Sequence, residues 1–169
     1  AGATTGTVSF TPTNDSLYDA ASDETATIAI SGVSGGSASE SGSQSVTITI
    51  TDDDSAPTVT LAASSTSIAE NSSSTITLTA TLSNATYQDV TVSIGTSGTA
   101  TEGTDYGNIS DITISAGSTT GTATFDPTDD SDETDTVTAT IAISGVSGGG
   151  ATESGSQSVT ISILDDESV

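Results

Sequence analysis

The stretch ATIAISGVSGG occupies residues 26–36 and returns unchanged at residues 139–149. Its first half alternates: Ala139, Ile141 and Ile143 are apolar, and small residues stand between them. Because successive side chains of a β-strand point to opposite faces, this period of two predicts a strand with one buried face. The glycines that follow predict a turn. The stretch therefore predicts the same strand and turn twice in the chain.

The internal match extends on both sides of this stretch. ESGSQSVTI at 40–48 returns at 153–161, and AGATTGT at 1–7 matches AGSTTGT at 116–122. The first copy carries two extra residues somewhere between Ser16 and Thr25. Internal similarity at a nearly fixed offset is the sequence signature of repeated units.

Residues 58–115 have no counterpart before them. We therefore interpret residues 1–56 as the second half of one repeat and residues 57–169 as one complete domain. On this interpretation the chain is expected to be a window on a longer tandem array. Residues 1–56 should then either lie against strands from another segment or form an incomplete sandwich with Val8, Phe10, Ile28 and Ile30 exposed.

Alternation of apolar residues with Thr and Ser recurs along the complete repeat, and no segment has the period of a helix. Strands are predicted near 58–62, 66–70, 75–82, 89–95, 111–115, 119–125, 136–144 and 157–164. So many short strands in about 110 residues favour an all-β fold, an immunoglobulin-like antiparallel β-sandwich. Phe10 and Phe125 share one repeat position, and each is predicted to fill the core of its domain.

The charge of the chain is entirely negative. It has 23 Asp and Glu, no Lys, Arg or His, and a formal net charge of −23. Cations from solution must therefore balance the carboxylates, and hard divalent ions suit oxygen ligands best. Nucleic acid is excluded as a partner, because phosphate binding needs positive charge. No apolar run is long enough for membrane insertion. The absence of Cys, His and Lys removes most nucleophiles and bases of enzymes, so no catalytic activity is expected.

The stretch ITDDDSAP at 50–57 places three carboxylates, Asp52, Asp53 and Asp54, between a predicted strand and Pro57. We interpret it as the end of one domain and the linker to the next, which Pro57 stiffens. A cation held by these three residues would clamp the junction. The alternative is that they are solvated surface charges.

The order of several motifs resembles that of a Calx-β domain, a module of sodium–calcium exchangers, of some integrins and of long bacterial surface proteins. The motifs are IAE at 68–70, TATEGTDY at 99–106, GTATF at 121–125, DDSDETD at 129–135 and ISILDDE at 161–167. Residues 1–56 resemble the second half of such a domain and end in ITITDDD. The resemblance implies tandem Calx-β-like repeats and a Ca²⁺ cofactor.

In Calx-β domains that bind Ca²⁺, carboxylates from several loops meet at one end of the sandwich. By position, this resemblance implies metal ligands at Glu70, Asp105, Asp129, Asp130, Glu133, Asp135, Asp165, Asp166 and Glu167. In the first copy it implies Asp15, Asp19, Asp23 and Glu24, beside Asp52, Asp53 and Asp54. One departure is that the loop after Asp130 is two residues shorter than in the first copy. Another is that the first copy has Asn14 at the position that corresponds to Asp129, the first Asp of the Asp129–Asp130 pair.

The expected function is that of a Ca²⁺-stiffened extender repeat in a long secreted or cell-surface adhesin or fibre. Its partners would be adjacent repeats of the same long chain or neighbouring subunits in a fibre, outside the cell. Two alternatives are a Ca²⁺-sensing regulatory domain and a glycan-binding module. Near-identical copies favour the extender, because a sensor needs one tuned site. The scarcity of aromatic residues disfavours sugar binding.

Overall fold

The computed structural model describes residues 2–19, 23–131 and 136–167, and all regular structure in these ranges is β-strand. The strands are β1 (Leu17–Tyr18), β2 (Glu24–Ala29), β3 (Ser45–Ile50), β4 (Thr58–Ala63), β5 (Ser67–Ala69), β6 (Ile76–Leu82), β7 (Ala85–Thr86), β8 (Val90–Gly98), β9 (Ile112–Ile114), β10 (Thr120–Phe125), β11 (Val137–Ser147), β12 (Thr152–Glu153) and β13 (Ser158–Leu164). No helix in the described ranges has the length and apolar character needed to cross a membrane.

The chain divides into two compact units. One contains residues 1–16 and 21–53, and the other contains residues 17–20 and 54–169. The predicted boundary between residues 56 and 57 lies three residues after the observed one. Residues 17–20 belong to the second unit because β1 pairs in parallel with β7.

The second unit contains two larger sheets. One has the strand order β10-β6-β4-β12 and the other has the order β5-β13-β11-β8-β9. Most neighbours are antiparallel, but β5 runs parallel to β13 and β12 runs parallel to β4. Side chains from both sheets form one apolar core. The all-β sandwich predicted from the sequence is confirmed.

Strict alternation explains why these strands pack face to face. In β6, Ile76, Leu78, Ala80 and Leu82 are buried, whereas the Thr residues between them lie on the other face. Two rings complete the core: Tyr106 stacks on Phe125 with centroids 4.8 Å apart, and both side chains are buried. The prediction that Phe125 fills the core is confirmed.

Every strand predicted for the complete repeat has an observed counterpart that begins within one residue of it. β8 and β11 each run three residues beyond their predicted ends, to Gly98 and Ser147. The extended parts pair with each other, since Thr91–Gly98 of β8 lies opposite Ala139–Ser147 of β11, with a β-bulge between Ile143 and Gly145. The pairing of β8 with β11 therefore extends both strands into segments where glycine had predicted a turn. The two-residue strands β1, β7 and β12 were not predicted.

The first unit contains a single strand pair among its described residues, the antiparallel hairpin of β2 and β3. None of the described residues from 2 to 56 is buried. Val8 is 86% exposed and Phe10 is 40% exposed. The prediction that Phe10 fills a core was therefore wrong for this unit, because no second sheet covers it among the described residues.

Candidate metal centre

The pairing of β5 with β13 places Glu70. The two strands are parallel and Ala69 is the register partner of Leu164, so the residues that follow, Glu70 and Asp165, leave the sheet side by side. The backbone N–H of Glu70 donates to the carbonyl of Leu164 at 3.0 Å, which fixes this arrangement. The motifs IAE and ILDDE, almost a hundred residues apart in sequence, therefore meet at one point.

Three carboxylates form the inner group of this site: Glu70, Asp165 and Glu167. One oxygen from each lies within 4.8 Å of the other two. Glu70 is only 7% exposed. One oxygen of each residue (Oε1 of Glu70, Oδ1 of Asp165 and Oε2 of Glu167) is buried without a hydrogen-bond partner. Buried polar atoms are normally paired, so these three oxygens are candidate ligands for a cation.

A second group adjoins the first through Glu167. It consists of Asp129, Asp166 and Glu167, again with one oxygen from each within 4.8 Å of the others. Asp129 lies in the segment after β10, where the N–H of Thr128 donates to the carbonyl of Asp105 at 3.0 Å. The side chain of Asn71 donates a hydrogen bond to the carboxylate of Asp166. Glu167 therefore links two acidic groups.

The pKa values report the electrostatic cost of this arrangement. Burial, together with the carboxylates of Glu167 and Asp165, raises the pKa of Glu70 from 4.5 to about 7, although the backbone of Asp166 opposes the shift. The contact with Glu70 lowers the pKa of Glu167, but burial and the neighbouring Asp165 and Asp166 outweigh it and raise that pKa overall. A divalent cation would reverse both shifts, since it favours ionised carboxylates.

The donor set suits Ca²⁺. All the candidate ligands are carboxylate oxygens, which hard cations prefer. Ca²⁺ lies about 2.3–2.6 Å from its ligands, so two oxygens on one ion are at most about 4.6–5.2 Å apart. The oxygens of each group, all within 4.8 Å of one another, meet this limit.

A third acidic group consists of Asp52, Asp53 and Asp54, which Thr51 separates from the end of β3. These residues occupy the same repeat positions as Asp165, Asp166 and Glu167, 113 residues later. In the complete domain the corresponding carboxylates meet Glu70, which follows β5. Among its described residues, the first unit has no strand that pairs with β3 in the way β5 pairs with β13.

Other predicted ligands do not join these groups. Asp105 accepts a hydrogen bond from the backbone N–H of Thr101 at 2.6 Å, so its carboxylate closes a local turn. Neither Asp130 nor the first-copy acids belong to any of the three acidic groups found among the described residues; those acids are Asp15, Asp19, Asp23 and Glu24. Glu133 and Asp135 lie outside the described residues.

Two residues of the site region were not predicted to act there. Asn71 orients Asp166, and its position directly after Glu70 was the available signal. Glu102 holds the TATEGTDY segment together: its Oε1 accepts from the N–H of Ile109 at 2.7 Å, and its Oε2 accepts from the Thr96 hydroxyl at 3.0 Å. The two acidic residues of that motif, Glu102 and Asp105, therefore hold the local backbone by hydrogen bonds.

A solved structure resembles this chain. It is the crystal structure of the apo-form Calx CBD1 domain, with a TM-score of 0.53 and 19% sequence identity, and the match covers 65% of this chain and 99% of that one. About two thirds of this chain therefore has the fold of a Calx-β domain. The fold implied by the sequence motifs is therefore confirmed. No protein-family model matches the sequence, and no curated protein matches it.

Proposed function

We propose that the complete domain binds Ca²⁺ at Glu70, Asp129, Asp165, Asp166 and Glu167, and that it serves as a structural extender in a long extracellular surface protein or fibre. The observation that carries the proposal is the side chain of Glu70, a carboxylate buried among other carboxylates with an unpaired oxygen. The chain has no Lys, Arg or His to neutralise it. Only a cation from solution supplies that charge.

The ion acts as a cross-link in this proposal. Glu70 follows β5, Asp129 follows β10, and the other three ligands follow β13. One or two ions held by these residues tie together segments of both sheets at one end of the domain. Because the ligands assemble only in the folded chain, the ion stabilises the folded state. The proposal includes no catalytic role.

Calorimetric titration of the metal-free chain with Ca²⁺ tests the binding site. Glu70→Gln should weaken binding at least about tenfold, since it removes the central charge. Asp126→Asn is the control: it also removes one carboxylate charge, from an exposed residue that lies in the segment of Asp129 but belongs to none of the acidic groups. It should change the affinity less than about twofold. Absence of Ca²⁺ binding, or equal effects of the two substitutions, would overturn the proposed site.

The extender role depends on the linker at 52–57. We expect the three carboxylates of Asp52, Asp53 and Asp54 to bind a further cation and to restrict the linker backbone. Small-angle scattering with Ca²⁺ should show a narrower distribution of shapes than with EDTA. Replacing all three with Asn should abolish that difference while the complete domain stays folded. A Ca²⁺-dependent change that survives the triple substitution would instead favour a sensing role centred on Glu70.

A further inference from the structure

The hairpin of β2 and β3 repeats the hairpin of β11 and β13 in the same register. Ala26 pairs with Ile48 and Ile28 pairs with Val46, as Ala139 pairs with Ile161 and Ile141 pairs with Val159. Each pair of corresponding residues is 113 positions apart. The hydroxyls of Thr27 and Thr47 are 3.2 Å apart, and those of Thr140 and Thr160 are 3.1 Å apart. The two hairpins are therefore the same local structure.

The turns that join the strands also agree. The backbone N–H of Ile30 donates to the carbonyl of Gln44 at 3.1 Å, and Ile143 donates to Gln157 at the same distance. Gly35 and Gly148 both have a φ of 89°. This agreement means that the first hairpin presents the same side chains, in the same directions, as the second.

The burial of the two hairpins differs. Ile141 and Ile161 are completely buried, and Ile143 is 8% exposed. In the first hairpin their counterparts Ile28 and Ile48 are only half-buried, and Ile30, the counterpart of Ile143, is 47% exposed. Val8, Ile28, Ile30 and Val46 line an open groove of about 400 Å³. The first hairpin thus has the apolar face that is buried in the second hairpin, but this face is open here.

The complete domain shows what covers that face. β11 pairs with β8 along the edge that β13 leaves free, β8 pairs in turn with β9, and the facing sheet includes β4 and β6. All four of these strands lie within residues 57–115. The first half of the repeat therefore completes the second half.

Two glycines mark the contact surface in detail. A Cβ on Gly148 would lie 2.2 Å from the carbonyl oxygen of Asp89, and a Cβ on Gly121 would lie 2.5 Å from that of Thr113. At the same repeat positions, Gly35 and Gly6 have nothing within 4 Å. The first copy thus has a glycine at each position where the second copy needs one for close backbone approach, although nothing approaches it.

We infer that the apolar face of the β2–β3 hairpin is a docking surface for a second copy of the 57–115 segment, which would complete a second sandwich. The 57–115 segment of the same chain is already paired with β10, β11 and β13, so an additional copy is required. The expected pairing follows the complete domain: Ile30 opposite Ile94 and Val33 opposite Val92 of the added copy.

A fusion protein tests this inference. A copy of residues 57–115 is placed directly before Ala1, which reproduces the Ser115–Ala116 connection of the complete domain because Ala1 matches Ala116. The backbone N–H of Ile30 points toward β3. Because N–H directions alternate along a strand, the N–H groups of Thr27 and Ala29 point away from β3 and are free to pair with an added strand. Their hydrogen exchange should slow by more than about a hundredfold in the fusion. The amide of Ile30, already bonded to β3, serves as the reference.

Two substitutions in the added copy provide the control. Ile112 is buried in the complete domain, whereas its neighbour Thr113 is exposed on the opposite face of β9. Ile112→Asp in the added copy should abolish the new protection, and Thr113→Asp should retain it. The original domain stays intact in every variant, and its β11 amides confirm that. No slowing in the unsubstituted fusion would overturn the inference, as would equal slowing with Ile112→Asp. Concentration-dependent protection of Thr27 and Ala29 in the unfused chain would assign the face to self-association.

Discussion

Glu70 and Asp165 leave the ends of two adjacent parallel strands at the same level, because Ala69 is the register partner of Leu164. Antiparallel neighbours would have sent the two carboxylates to opposite ends of the sheet. The single parallel strand pair of this sheet therefore creates the acidic centre. It also buries a carboxylate beside two others, which is unfavourable until a cation is present.

Removal of Ca²⁺ should lower the melting temperature of the complete domain. The ion binds only the folded state, so at a Ca²⁺ concentration a hundred times the dissociation constant it stabilises the fold by about 2.7 kcal/mol. Mg²⁺ should restore much less of this stability, because it prefers octahedral shells and retains its waters. Thermal denaturation followed by circular dichroism in EDTA, Ca²⁺ and Mg²⁺ measures the effect. Equal recovery by both ions would indicate general charge screening.

The pH dependence of stability should reverse when Ca²⁺ is added. In EDTA, the pKa of Glu70 is raised from 4.5 to about 7 in the folded chain. The folded state then binds the proton more tightly than the unfolded state, so stability from this group is present below pH 4.5 and is lost as the pH rises through 7. Ca²⁺ requires ionised carboxylates, so its stabilising effect should grow over the same range.

Melting temperatures at pH 5.5 and pH 8, with and without Ca²⁺, check this prediction. The Ca²⁺-induced increase should be larger at pH 8. Glu70→Gln should be more stable than the unsubstituted chain in EDTA, since it removes the buried repulsion, and less stable in Ca²⁺. An equal Ca²⁺ increment at both pH values would contradict the assignment of Glu70 as the titrating ligand.

Much of the sandwich was predictable because alternation of Ile, Val and Leu with Thr encodes both the strands and the faces they bury. β6 shows this most clearly, with four buried apolar residues separated by Thr. The pairing of strands is a different matter. Nothing in the local sequence of β5 indicates that it runs parallel to β13, and that choice depends on the whole sandwich.

The sequence identified candidate ligands of the site, but it did not determine which of their carboxylates meet. The resemblance to Calx-β domains implied Glu70, Asp129, Asp165, Asp166 and Glu167, and the structure brings these five residues together. Asp105 has the same chemistry, but its carboxylate binds the backbone of Thr101, four residues away. Local hydrogen bonding of an Asp side chain competes with ligand binding, and sequence alone does not show which one wins.

Glu102→Ala should destabilise the complete domain without weakening Ca²⁺ binding. The substitution leaves the N–H of Ile109 and the hydroxyl of Thr96 without their acceptor, which costs about 1–3 kcal/mol. Urea denaturation in saturating Ca²⁺ measures the stability, and titration calorimetry measures the affinity. Glu70→Gln is the counterpart that weakens binding. A tenfold loss of affinity with unchanged stability would identify Glu102 as a ligand.

The two Phe residues offer a matched pair for testing the difference between the two units. Phe125 is fully buried and stacks on Tyr106, whereas Phe10, at the same repeat position, is 40% exposed. Phe125→Ala should reduce the free energy of unfolding by about 3–5 kcal/mol, because it removes a core ring and leaves a cavity. Phe10→Ala should change the urea-induced transition by less than about 0.5 kcal/mol, as exposed positions generally do. A large effect of Phe10→Ala in the isolated chain would mean that residues 1–53 already possess a core of their own.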